Sequence, residues 1–195
     1  LNESRKPCGK DLQGKEVPMS FLARLFGPGR DDRAAVRPLW HAVVAASRGK
    51  AWYAQYGIAD TLPGRFDAIT LVLSLVLLRM EREPALVEPS VRLTELFVDD
   101  MDGQLRESGV GDMVVGKHMG RLMSTLGGRL GAYRDALATA DDSALSEAIA
   151  RNVTLVDGLT DERAGPLALA SRVRALAGAL DAVPAERLLA GEIPA

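Results

Sequence analysis

Cysteine and histidine are the residues that this sequence most lacks. The 195 residues include one cysteine, Cys8, and two histidines, His41 and His118. A single cysteine cannot form a disulfide within the chain, and neither histidine has the His-x-x-x-His or His-x-His spacing that favours a metal site. There is no Gly-x-Ser-x-Gly elbow, and no two carboxylates stand out as a catalytic pair. These absences disfavour an enzyme, and we expect no metal site.

Long apolar runs and a strong net charge are also missing. The longest uncharged stretch of apolar character is Ala68–Leu78, whereas a bilayer-spanning helix needs about 20 such residues. The formal net charge of −2 is too small to recruit nucleic acid by bulk electrostatics. A charged fraction of 26% and an apolar fraction of 47% are typical of soluble globular proteins. We therefore expect no transmembrane helix and no direct nucleic-acid partner.

Lysine is confined largely to the first residues of the chain. Lys6, Lys10 and Lys15 precede Met19, after which only Lys50 and Lys117 occur against eighteen arginines. We interpret residues 1–18 as an added leader or a mis-assigned start, disordered in either case. A natural basic and acidic extension is the alternative. Residues 19–35 are predicted to be an amphipathic segment and linker, and residues 36–195 the folded domain.

Apolar residues in that domain recur at helical spacing, and no alternating strand pattern is evident. The pattern predicts helices over the segments beginning near Val36, Pro63-Gly64, Ser90, Val115, Asp142 and Pro166. The segment from Pro63 to Met80 is apolar nearly all round, which predicts a central position. Pro84 and Pro89 are expected to bracket a turn, with Ser90 as the cap of the next helix. We predict an all-α fold, a single compact bundle of about six to eight helices.

Two segments are candidates for contacts with other molecules. The spacing of Phe21, Leu22, Leu25 and Phe26 would put them on one side of a short helix, which predicts contact with a membrane surface or another protein. Docking on the chain's own core and disorder are the alternatives. The second segment holds five of the nine aromatic residues, namely Trp40, Trp52, Tyr53, Tyr56 and Phe66.

The second segment has two interpretations. Trp52, Tyr53 and Tyr56 are predicted to form a binding surface, with the Asp60–Gly64 turn as its rim. The alternative is structural, with Asp60 or Thr61 capping the next helix while Arg65 pairs with an acid at the edge of the core.

The same segment resembles the signature of the ubiquinol–cytochrome c chaperone family. The matching residues are Asp60, Thr61, Gly64, Arg65, Phe66 and Asp67, with Tyr56 and Ile58 at two substituted positions. A second match runs from Phe97 through Asp99 and Asp102, then Arg106, Glu107 and Asp112 to Lys117, and it accounts for a resemblance of Gly111–His118 to a phosphate-binding loop. A third, weaker match is Gly128-Arg129 with Tyr133, followed by Asn152.

The resemblance implies an all-helical protein without a cofactor that binds newly made cytochrome b, the membrane subunit of complex III. It also implies a small partner protein or the ribosome as possible contacts. The arginine bias suggests a bacterial member in the cytoplasm, peripheral at the inner membrane. The family often has a histidine where this chain has Leu71-Val72, so any role of that histidine is absent here.

From these motifs we predict a client surface and a charge network. The client-binding candidates are Trp52, Tyr53, Tyr56, Asp60, Thr61, Gly64, Arg65 and Phe66. The network, which would tie the two motifs together, comprises Arg65 with Asp67, Asp99, Asp102, Arg106, Glu107, Asp112 and Lys117. The competing functions are a general helical interaction module and a small enzyme with a site of scattered carboxylates.

Overall fold

The described part of the chain is helical, as its apolar periodicity predicts. A computed structural model describes residues 33–107, 112–158 and 164–194, and the side chains of residues 105–119 lie outside this description. Its helices are α1 (Arg37–Ser47), α2 (Lys50–Ala54), α3 (Leu62–Met80), α4 (Val87–Glu107), α5 (Asp112–Leu137), α6 (Ser143–Asn152), α7 (Pro166–Asp181) and α8 (Ala185–Leu189). Short 3-10 turns precede α1 and α4. The predicted all-α fold is confirmed.

The central element is α3, the helix that was predicted from its apolar sequence. Every residue from Leu71 to Met80 is buried, because α1, α5 and α7 pack around this helix. Leu71 and Val72, where the family often has a histidine, belong to this core. None of the described helices combines the length and apolar character that a bilayer crossing requires.

One predicted helix start differs from the structure, and another agrees with it. Pro89 and Ser90 lie inside the first turn of α4, and the Ser90 hydroxyl donates to the Val87 carbonyl at 2.7 Å. Ser90 is therefore not the cap of this helix. Pro89 does not interrupt the helix, because proline is tolerated in the first turn, where its missing N–H would have no helical partner. Helix α6 begins directly after Asp142, as predicted. Asp141 Oδ1 accepts a hydrogen bond from the Ser143 N–H at 2.7 Å, and Asp142 pairs with Arg174.

An extended contact brings the segment before α3 against the segment after α6. Helix α6 ends at Asn152, and the chain continues in extended form from Val153. Ile58 and Leu155 form an isolated antiparallel bridge. The Ala59 N–H donates to the Thr154 carbonyl, and the Val156 N–H donates to the Gly57 carbonyl, both at 2.9 Å. This bridge fixes the approach of the chain to α3.

Two arginines tie helix ends together inside the bundle. Arg79 of α3 donates through Nε to the Leu180 carbonyl at 3.2 Å and through Nη2 to the Val183 carbonyl at 3.0 Å. Arg174 of α7 donates to the Thr139 carbonyl at 2.9 Å. Cations at helix C-termini satisfy carbonyls that have no partner within the helix. These contacts hold α7 against α3 and α5.

Candidate functional site

The first turn of α3 is built from the signature residues. Thr61 is its N-cap, and the Gly64 N–H donates to Thr61 Oγ1 at 3.3 Å. A Cβ atom on Gly64 would lie 2.0 Å from the Ala59 carbonyl oxygen. Glycine is therefore required there, because the backbone before the helix passes too close for any side chain. Thr61 and Gly64 have structural roles in the helix start.

Asp67 forms a buried ion pair with Arg129 beneath this turn. Arg129 Nη2 donates to Asp67 Oδ1 at 2.5 Å, and the two side chains are 10% and 8% exposed, respectively. The backbone N–H and the hydroxyl of Thr154 donate to Asp67 Oδ2 at 2.8 and 2.7 Å. Arg129 also donates to Thr70. A buried carboxylate needs several such donors to offset its desolvation, and the cluster joins α3, α5 and the bridge.

Two aromatic residues complete the surroundings of Arg129. Its guanidinium carbon lies 5.6 Å from the centroid of the Phe66 ring, a distance typical of cation–π contacts. Burial raises the pKa of Tyr133, an effect that Arg129 opposes and Asp67 adds to. Within the described residues, neither the Tyr133 hydroxyl nor Arg129 Nε has a hydrogen-bond partner. The cluster is thus a group of buried polar side chains surrounded by the apolar core.

The predicted pairing of Arg65 within the charge network is wrong. Arg65 Nε donates to Asp60 Oδ1 at 2.7 Å. Residues two apart on a helix do not share a face, so Arg65 points outward while Asp67 points to Arg129. Asp99 pairs with Arg33 instead, and Asp102 is half-buried. The side chains of Arg106, Glu107, Asp112 and Lys117 lie outside the described part, as do Phe21, Leu22, Leu25 and Phe26 entirely.

A groove opens on the other side of the α3 start. It has a volume of about 980 Å³ and lies among α1, α2, α3, α4 and α5. Among the described residues, its apolar lining includes Val44, Tyr53, Leu62, Phe66, Ile69, Met101 and Leu122, and its charged lining includes Arg48, Lys50, Asp60, Arg65, Asp100 and Arg121. Leu62 is 81% exposed. Large exposed apolar residues beside an open groove are typical of an interaction site.

The hydroxyl of Tyr53 lies among the charges at one end of the groove. It donates to the Ser47 carbonyl at 2.9 Å. Burial raises the pKa of Tyr53, Asp60 adds to this effect, and Arg65 and Arg48 oppose it. The hydrogen bond from Arg65 lowers the pKa of Asp60. This end of the groove therefore holds an ionised carboxylate and two guanidinium groups beside one aromatic wall.

The aromatic surface predicted from the sequence is only partly present. Trp52 is 5% exposed, its Nε1 donates to the Ala46 carbonyl at 2.8 Å, and Arg172 lies over its ring. The prediction that Trp52 is a surface residue is wrong, because α2 turns this indole into the core. Tyr56 is half-buried against Trp52, with ring centroids 6.1 Å apart. Of the client-binding candidates, Tyr53, Asp60, Arg65 and Phe66 line the groove.

Two parts of the site had no assigned role at the level of sequence. Arg129 is the partner of Asp67, and its only signal was the weaker match of Gly128-Arg129 with Tyr133. Met101 of α4 and Leu122 of α5 line the groove. The helical spacing of the apolar residues predicted only that such side chains pack in the core. Among the described residues there is no cluster of side chains that could hold a metal ion.

The comparisons with known proteins agree with this architecture. The family described as Ubiquinol-cytochrome C chaperone matches residues 54–195. The chain is also similar to a crystal structure of the Cbp3 homolog from Brucella abortus, with 34% identity and a TM-score of 0.71, over 90% of this chain and 94% of that one. No curated protein sequence gives a significant match.

In its described residues the chain is an all-helical protein with an open, partly apolar groove. The match covers the α3 start, the groove walls on α4 and α5, and the buried cluster. The chain belongs to the ubiquinol-cytochrome C chaperone family, which confirms the resemblance seen in its sequence.

Proposed function

We propose that this protein is a non-catalytic assembly factor that binds newly made cytochrome b during biogenesis of the ubiquinol–cytochrome c reductase complex. The observation that supports this function most strongly is the open groove, which borders the family signature and presents an apolar floor. The groove is the proposed client surface. Tyr53 and Phe66 form one wall, and Met101 and Leu122 form the other.

The dimensions and chemistry of the groove suit a client helix. A helix with its side chains is about 10 Å across, and recognition of a helix in a groove relies on apolar side chains at one face. The floor offers aromatic, aliphatic and methionine side chains from separate helices, and Met101 can adapt its shape to different partners. An apolar segment of a membrane protein would bury its surface here before it reaches its final place.

The ionisation of Asp60 favours binding over catalysis at this site. A general acid at neutral pH needs a raised pKa, whereas the hydrogen bond from Arg65 lowers the pKa of Asp60. An ionised Asp60 does not support the alternative of an enzyme with a site of scattered carboxylates.

The setting of this binding is part of the proposal. We place it at the cytoplasmic face of the inner membrane, where a client with apolar helices is inserted. Phe21, Leu22, Leu25 and Phe26 are proposed to contact the membrane or the client, and a small partner protein or the ribosome is a further proposed contact.

The test is co-purification of cytochrome b from native membranes with the full chain as bait. Leu122→Gln removes an apolar groove wall, and Leu130→Gln makes the same change in a half-buried residue of the same helix that does not line the groove. We expect wild type and Leu130→Gln to enrich cytochrome b, and Leu122→Gln to enrich it several-fold less. The two variants should lose a similar amount of folding stability relative to wild type. Absence of cytochrome b from the wild-type eluate would contradict the proposed function.

A further inference from the structure

The described lining of the groove is positively charged, although the chain as a whole is negatively charged. The chain has a formal net charge of −2, but the described residues that line the groove include four basic and two acidic side chains. Arg65 is paired with Asp60. In the described part of the chain, Arg48, Lys50 and Arg121 have no ion-pair partner and are exposed. These three cations lie around the apolar lining of one groove.

We propose, on the basis of the function above, that the groove selects an apolar helix with carboxylates next to its apolar face. Arg48 and Lys50 lie at the junction of α1 and α2, and Arg121 lies on α5, so cations stand on different walls. A helix that fills the floor places its flanking residues at these walls. Glutamate or aspartate there meets an unpaired cation, whereas lysine or arginine meets a like charge.

Repulsion makes this preference selective among membrane proteins. The cytoplasmic loops of membrane proteins carry an excess of lysine and arginine. A cationic groove therefore disfavours most segments that flank transmembrane helices on that side, and it favours the smaller number that end in acids. Specificity is the difference between two binding free energies, so repulsion of segments rich in lysine and arginine contributes to it as well as attraction of acidic ones.

The test uses two synthetic peptides that share one amphipathic helix with a leucine face and a polar face of glutamine and serine. One peptide ends in glutamates and the other in lysines, and binding to the full chain is followed by fluorescence polarisation. We expect the acidic peptide to bind about tenfold more tightly at low salt, with the difference shrinking as salt screens the charges. The double variant Lys50→Glu/Arg121→Glu should reverse the preference.

A matched control separates the groove from general electrostatics. Arg151→Glu changes an exposed arginine on α6, outside the groove, and it should leave the preference for the acidic peptide within about twofold of wild type. The changed side chains are exposed, so each variant is expected to keep the wild-type unfolding midpoint. A preference that Arg151→Glu reduces as much as the groove double variant does would overturn the proposal.

Three other outcomes also overturn the proposal. They are equal binding of the two peptides to wild type, failure of both peptides to bind, and equal peptide binding together with capture of phosphatidylglycerol vesicles that the double variant loses. The last outcome would assign the cations to a lipid. Cytochrome b enrichment from membranes is measured in parallel, so that failure of the charge preference alone is distinguished from failure of the proposed function.

Discussion

The start of α3 has two sides that differ in almost every physical property. Gly64 and Asp67 face inward, against the backbone of Ala59 and the guanidinium of Arg129. Leu62 and Arg65 face the groove and the solvent. One short signature thus combines residues that build the helix start with residues that form a surface. Membership of the motif does not itself indicate which of these roles a residue has.

The two ion pairs of the signature make the same comparison in electrostatic terms. The Asp67–Arg129 side chains are 8% and 10% exposed, whereas those of Asp60 and Arg65 are 60% and 63% exposed. Loss of one partner leaves an uncompensated charge only where water cannot replace the missing group. At the exposed pair, water solvates each charge when the other is removed, so the ion pair contributes little to folding stability. The inward side should therefore govern folding, and the outward side binding.

Arg129→Leu should have the largest effect of the changes considered. It leaves the Asp67 carboxylate buried without its cation, which should lower the free energy of unfolding by about 3–5 kcal/mol. Chemical denaturation measures this loss. Arg151→Leu, which removes an exposed pair with Glu147, should change the same quantity by less than about 1 kcal/mol. Equal losses in the two variants would show that burial does not distinguish the pairs.

Gly64→Ala comes next, because the added methyl group meets backbone rather than a flexible side chain. The strain should lower the free energy of unfolding by about 1–3 kcal/mol. Gly127 lies in α5 with no atom within 4 Å of the position of a Cβ, so Gly127→Ala should raise that free energy by about 0.5–1 kcal/mol. Opposite signs in thermal unfolding are expected. If Gly64→Ala left the free energy of unfolding unchanged, the steric explanation for a glycine at this position would be wrong.

The ion pair between Asp142 and Arg174 is intermediate in burial between the two pairs compared above. Hydrogen bonds from Arg174 and Ser171 lower its pKa in the folded state. The resulting stability is present above the unfolded-state pKa of about 4 and is lost as the pH falls through the lower folded-state value. Asp142→Asn should lower the free energy of unfolding by about 1 kcal/mol at neutral pH.

The pH dependence distinguishes this effect from simple packing. The difference between wild type and Asp142→Asn should shrink as the pH falls below about 4, when Asp142 itself becomes neutral. Asp135→Asn, an exposed change on α5, should have little effect at any of these pH values. A difference that stayed constant with pH would assign the effect of Asp142→Asn to shape and not to charge.

The sequence predicted the helices better than the contacts between them. The apolar run of α3 fixed its length and its central position, because burial on all sides leaves no polar face. Arg129 lies 62 residues from Asp67, and local periodicity contains no information about such a pairing. The polar neighbours Lys50 and Gln55 favour a surface position for Trp52, but the indole is directed inward, where its Nε1 donates to the Ala46 carbonyl and Arg172 lies over its ring. Contacts with residues outside the local sequence pattern thus decide both cases.

Leu62→Ser should have the smallest effect on stability and a clear effect on binding. Leu62 is 81% exposed in the first turn of α3, and Leu167, which is 62% exposed in the first turn of α7, is a matched control. Either change to serine should alter the free energy of unfolding by less than about 0.5 kcal/mol. Only Leu62→Ser removes apolar area from the groove, so it should weaken cytochrome b capture by about fivefold, as measured by co-purification from membranes. Equal capture by the two variants would mean that the outward side of α3 is not a client surface, and the comparison between its two sides would then rest on stability alone.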